Sequence, residues 1–227
     1  MSRILPILFN TEMDRAILDN RKTATRRKID IDISNQFDVE SDGKTVVAYI
    51  DQATGDSYNP VEICRYRPGD ILYIRETWAF KCCIDCMDID EDDSCMIGKT
   101  SIIHEDKDTS SEGCYIYRAD HPHPERIIWR PSIHMPKAAA RTWLGVTAVK
   151  IQRLQEMTLD DFLKEGVVIR PEAFNDPENA YLQAQSAFID IWDSTIPKEQ
   201  RDIYGWQANP WVTATEFKKC EKPESEG

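Results

Sequence analysis

Five of the eight residues from Arg21 to Lys28 are basic, in a chain of 227 residues and net charge −12. Cations at a helix end favour the helix dipole, but five in eight exceed what a cap needs. Arg21, Lys22, Arg26 and Arg27 therefore read as the electrostatic footprint of a phosphate-binding surface, with Thr25 among them. A second set lies at Arg75-Glu76-Thr77-Trp78, where a carboxylate beside an indole can accept hydrogen bonds from a base edge or act as a general base. A third is the Trp129–Pro136 stretch. There Trp129 or Arg130 can stack on a base while Ser132 and His134 bond to it. Ser132 and His134 do not form a nucleophile–base pair, because the G-x-S-x-G elbow is absent.

Two metal-like patterns are weaker. Cys83 and Cys86 have the spacing of a zinc knuckle, with Cys82, Cys95, His104 and Cys114 near in sequence. A second C-x-x-C is missing, so neither zinc nor any other cofactor is expected. Asp88, Asp90 and Asp92 open like a calcium loop, but Asp93 replaces the required glycine and Lys99 the required glutamate.

The elements that must position these residues follow from period and punctuation. Residues 3–9 read as a buried first strand. Thr11 is the expected cap of a short helix, with Asp14 completing a weak capping box and Met13, Ala16 and Ile17 facing inward. Asn20 tolerates a left-handed end, after which Thr23 and Thr25 favour an extended chain. That sharp turn would gather Lys22, Thr25 and Arg26 at one corner. Lys44–Ile50 fits one strand of a hairpin, and Ile71 to Trp78 is the clearest strand. Cys114–Arg118 and Leu144–Leu154 are further strands, and Lys137–Thr142 fits one or two helical turns. Thr158 begins a helix that Gly166 stops, and Asp176-Pro177 opens the longest helix, with Tyr181, Ala184, Phe188, Ile191 and Trp192 as its stripe. Trp211 to Phe217 closes the chain, and a polar tail begins near residue 218.

The acid is concentrated. Residues 30–62 carry eight acidic residues and one basic, and residues 81–112 ten and three. Outside these segments the chain is mildly basic, so net acidity does not exclude a polyanionic partner. Seven cysteines without a secretory signal fit reduced thiols and a cytoplasmic location, and no stretch is long and apolar enough to span a membrane.

Asn20-Arg21-Lys22-Thr23-Ala24-Thr25-Arg26 resembles the signature of the activating-signal-cointegrator homology (ASCH) domain, with Asn20 in place of the usual glycine. Pro68-Gly69-Asp70-Ile71-Leu72-Tyr73-Ile74-Arg75-Glu76, Glu165-Gly166 after a short helix, and a final strand with Glu216-Phe217 are similar to later blocks of that family. The Trp129–Pro136 loop with ILFNTEM resembles its phage and prophage branch. The resemblance implies a single domain over residues 1–227: an α+β fold around a small PUA-like β-barrel, with peripheral helices and insert-like segments at 30–62 and 81–114. It implies binding of RNA, other single-stranded nucleic acid or a nucleotide. One enzymatic branch deacetylates N(4)-acetylcytidine, and its catalytic lysine, threonine and glutamate correspond to Lys22, Thr25 and Glu165. In that alternative a lysine of lowered pKa takes the proton of the threonine hydroxyl, which attacks the amide carbonyl. A further alternative is a protein-interaction module acting through the acidic inserts.

Overall fold

The computed structural model describes residues 2–34, 37–41, 46–59, 62, 64–82, 103–106, 111–121 and 124–223. In chain order the elements are β1 (Ile4–Leu8), α1 (Thr11–Leu18), β2 (Ala24–Lys28), α2 (Ile31–Ser34), β3 (Phe37–Ser41), β4 (Val46–Asp51), β5 (Ser57–Tyr58), β6 (Ile71–Arg75), β7 (Trp78–Cys82), β8 (Ile103–Asp106), β9 (Ser111–Tyr117), β10 (Trp143–Arg153), α3 (Leu159–Lys164), α4 (Pro177–Thr195), α5 (Arg201–Tyr204) and β11 (Trp211–Cys220). The fold is mixed α+β. The largest sheet has five strands in the order β1-β6-β10-β11-β2, and two three-stranded sheets run β3-β4-β5 and β7-β9-β8. The expected barrel is not closed, because β1 and β2 end the five-stranded order and do not pair with each other. Among the described residues no helix is long and apolar enough to cross a membrane.

The chain divides into two compact units: residues 1–3, 16–71 and 145–219, and residues 4–15, 72–144 and 220–227. The core of the first is aromatic. On α4 the residues Ala180, Ala184, Phe188 and Trp192 repeat at i+4 and are all buried, so they form one ridge. Phe188 meets Phe162 of α3 at 5.4 Å between ring centroids, and Trp192 and Trp206 extend the cluster. Local chemistry sets the helix ends. Asp176 accepts hydrogen bonds from the N–H groups of Glu178 and Asn179, and Pro177 needs no donor of its own. Thr158 and Asp161 form a reciprocal capping box on α3. Gly166 ends that helix at φ +90°, where a Cβ would stand 3.0 Å from Ala16 Cβ and 3.1 Å from Lys22 Cβ. Glycine therefore serves both the left-handed turn and a close approach.

Two local expectations change. The cap of α1 is Asn10, whose Oδ1 accepts from the Met13 N–H at 2.9 Å, and Asp14 takes no capping role. The strand expected from Ile71 to Trp78 breaks at Glu76. The Glu76 N–H points to Met135 Sδ at 3.1 Å instead of entering a ladder, and from Trp78 the chain pairs with β9. Both acidic segments contain strands: β3, β4 and β5 in the first, and the end of β7 with β8 and the start of β9 in the second.

Candidate functional site

In the first unit α1 ends as the sequence requires. Asn20 sits at φ 60°, and the N–H groups of Arg21 and Lys22 both return to Ala16 O. This reversal throws Lys22 against Glu165 as an isolated antiparallel bridge just before β2 begins. Lys22 is 2% exposed and Glu165 9%. Lys22 Nζ lies 2.5 Å from Glu165 Oε2 and also donates to Glu165 O at 3.1 Å. Arg26 Nη1 donates to the other oxygen of Glu165 at 3.1 Å, and its Nη2 donates to Asp161 Oδ1. Lys150 Nζ approaches the same Asp161 oxygen at 3.4 Å. Two carboxylates and three cations thus form one network, buried at the Lys22 end and opening to solvent at Lys150.

The electrostatics follow from this enclosure. Burial lowers the pKa of Lys22, and Glu165 opposes the shift only in part. Burial alone would raise the Asp161 carboxyl, but Arg26, the Thr158 N–H, Lys150 and the Thr158 hydroxyl hold it down at about 2. Thr25 is buried on β2, opposite Thr215 of β11. Arg21 and Arg27 are exposed. Arg21 donates to Gly166 O at 3.1 Å and pairs with Asp19. The basic corner is therefore not a uniform cationic surface. Lys22 and Arg26 are buried and matched by carboxylates, while Arg21, Arg27 and Lys28 keep exposed surface, although partial burial still lowers the pKa of Arg27.

The remaining expected residues belong to the second unit, where they form a different network. Glu76 is buried, and Arg141 holds it from both sides: Nε to Oε1 at 2.9 Å and Nη2 to Oε2 at 2.7 Å. Arg141 also grips Asp120 at 2.5 Å and lies 4.0 Å from the Tyr117 ring centroid. Trp78 is buried and bridges to Arg130, whose guanidinium lies 5.0 Å over the indole. Trp129 is half-buried against Ala79, Cys114 and Ile116, and its indole N–H donates to Pro124 O at 2.6 Å. Arg75 donates to Ile133 O at 3.0 Å. Ser132 is half-buried, whereas Arg130 and His134 are exposed.

Sequence reasoning missed Asp161, Lys150, Arg141 and Asp120. Asp161 carried one local signal, the spacing from Thr158, but its pairing with Arg26 spans 135 residues. Cys83, Cys86 and Cys95 lie outside the described residues, as do the side chains of Cys82 and His104; Cys114 is buried. Among the described residues no group of three or more His, Cys, Asp or Glu is placed to hold a metal. An open groove of about 520 Å³ is lined by Val168, Arg170, Gln183 and Asp190 among others, none of them an expected site residue.

Comparison with protein-family models, curated proteins and solved structures finds no match.

Proposed function

We propose that this chain is an ASCH-type protein directed at nucleosides, and that it hydrolyses the amide of an acylated nucleoside such as N(4)-acetylcytidine. The observation that carries this reading is the Lys22–Glu165 pair. A lysine amine withdrawn from water, with its pKa lowered by burial, lies 2.5 Å from a glutamate that arrives from 143 residues away. These are two of the three positions that the resemblance assigns to catalysis, and Thr25 follows Lys22 by three residues.

The chemistry needs an uncharged amine, and it requires the acyl group to reach Thr25, which like Lys22 is almost without solvent in the closed protein. Neutral Lys22 takes the proton from Thr25 Oγ as that oxygen attacks the amide carbonyl. The ammonium so formed returns the proton to the departing amine, and an acyl ester remains on Thr25. Water then cleaves the ester and restores the threonine. Glu165 steadies the lysine and balances its charge while it holds the proton. Arg26, anchored on Asp161, fixes the second oxygen of Glu165. The test is incubation with N(4)-acetylcytidine, with nucleosides separated by chromatography. Cytidine and acetate should form. Thr25→Ala should abolish turnover while leaving substrate binding nearly intact. A wild-type protein that yields no cytidine does not have this activity.

The second reading is an RNA- or nucleotide-binding protein without turnover. It is favoured by the exposed Arg21 and Arg27 in one unit and by Arg130 and His134 beside Trp129 in the other. With Lys22 and Arg26 neutralised internally, the exposed positions of this corner are Arg21, Arg27 and Lys28, of which Arg21 pairs with Asp19 and Lys28 donates to Gln200. The expected salt slope for single-stranded RNA is then shallow, about −1 to −2 for two or three contacts. Binding that survives Arg21→Ala and Arg27→Ala together argues against phosphate recognition at this corner.

A further inference from the structure

The second unit holds a carboxyl group that the proposed chemistry does not use. Asp14 lies on α1 with 2% of its surface exposed, and among the described residues neither carboxylate oxygen has a hydrogen-bond partner. A buried, unmatched carboxylate is costly, and such a group is ordinarily kept neutral by a proton. Its charged surroundings reinforce this. Glu76 lies close enough to act on it, and Arg141, which opposes Glu76, is already matched by Glu76 on one side and Asp120 on the other. Tyr117 of β9 lies beneath Arg141 and donates its hydroxyl proton to Ala139 O at 2.5 Å. On the same helix Glu12 and Arg15 pair with each other, and Arg15 donates to Ala119 O at 2.6 Å. Among the described residues of this cluster no cation is left to pair with Asp14.

We propose that Asp14 is a proton-operated latch: the first turns of α1 stay seated on their own unit while this carboxyl is protonated, and they loosen when the proton is lost. The transition falls near neutrality, because burial first, and then the Glu76 charge, push the Asp14 carboxyl up to about 8 against the opposing pull of Arg141. Below the ordinary carboxylate range the group is protonated whether the helix is seated or open, and seating has no pH dependence. Between that range and about 8, the open form releases its proton and the seated form keeps it. The opening equilibrium therefore rises about tenfold per pH unit.

The experiment is hydrogen exchange at the α1 amides of the full chain from pH 5 to 9, corrected for the intrinsic exchange rate. It is run beside a direct titration of the Asp14 carboxyl carbon by NMR in the wild-type protein. Opening of α1 should increase by at least 100-fold across this range and level off once the carboxyl has titrated. Asp14→Asn should flatten the profile. Glu76→Gln should move the midpoint towards acid by a unit or more, since it removes the repelling charge and frees Arg141. The NMR titration needs no variant, so the proposal stays testable even where a substitution prevents folding. An Asp14 that titrates near 4, through a buried water or solvent access, overturns the latch. So does a wild-type exchange profile that does not change with pH, or an equal loss of protection in Asp14→Asn.

Discussion

Cutting the Lys22–Glu165 pair from either side is the sharpest test of how the first unit is built. Lys22→Met removes the 2.5 Å partner of Glu165 and leaves its 3.1 Å contact to Arg26, in a site almost without solvent. Glu165→Gln preserves an oxygen for Arg26 but leaves the lysine beside a neutral group. Removing one partner of a buried ion pair costs about 3–5 kcal/mol, mostly through the stranded charge. For a chain of this size that lowers the melting temperature by roughly 6–20 °C. The double variant strands nothing, so it should recover at least about 2 kcal/mol relative to the sum of the single changes. Urea denaturation of all four proteins at pH 7 gives the cycle. The pH dependence has a definite sign. Lys22 titrates lower when folded than when unfolded, so in the window beneath the ordinary lysine value the unfolded chain holds the extra proton. The wild type should gain stability relative to Lys22→Met as pH rises through that window. Additive single changes, or a Lys22→Met cost below about 1 kcal/mol, would refute the account of a dry, coupled pair.

Two further outcomes are expected. Gly166→Ala should destabilise the fold by about 2–4 kcal/mol, combining a left-handed backbone with displacement of Ala16 and Lys22; Ala16→Gly should relieve only the steric part, as read from denaturation midpoints. The Asp161 carboxyl, held at about 2 when folded, contributes roughly 2 kcal/mol of stability above pH 4 that disappears as pH falls towards 2. An NMR titration of Asp161 together with acid denaturation checks this.

Four helix ends were legible in the sequence because each is set within four residues. Asn20, Thr158, Gly166 and Asp176 act on their own backbone neighbours, and the stripe of α4 needs only a repeat of four. Strands were harder to place. β3, β5 and β8 lie in segments whose acidity hid any alternation, and the break at Glu76 depends on Met135, 59 residues away. The α+β character was readable, but sheet closure was not, since it turns on which distant edges meet. In the site, the charge run at Arg21–Lys28 was evident from composition, yet charge along a sequence reads as surface. What buries Lys22 and Arg26 is a pair of carboxylates from α3 and its end, and composition says nothing of that pairing. The family resemblance alone linked Lys22 to Glu165. Asp14 misled because its spacing from Thr11 imitates a cap.

The three sheets do not share a ladder, and this bears on where the chain can change length. The β3-β4-β5 sheet is rooted by Tyr49, which is 1% exposed and packs with Ile29, Cys64 and Ile151, so trimming it would open a hole beside β10. In the β7-β9-β8 sheet both outer strands pair with β9, and Trp78 at the start of β7 also bridges to Arg130. A change of length within β4 that moves Tyr49 out of its contact with Ile29, Cys64 and Ile151 should therefore be poorly tolerated.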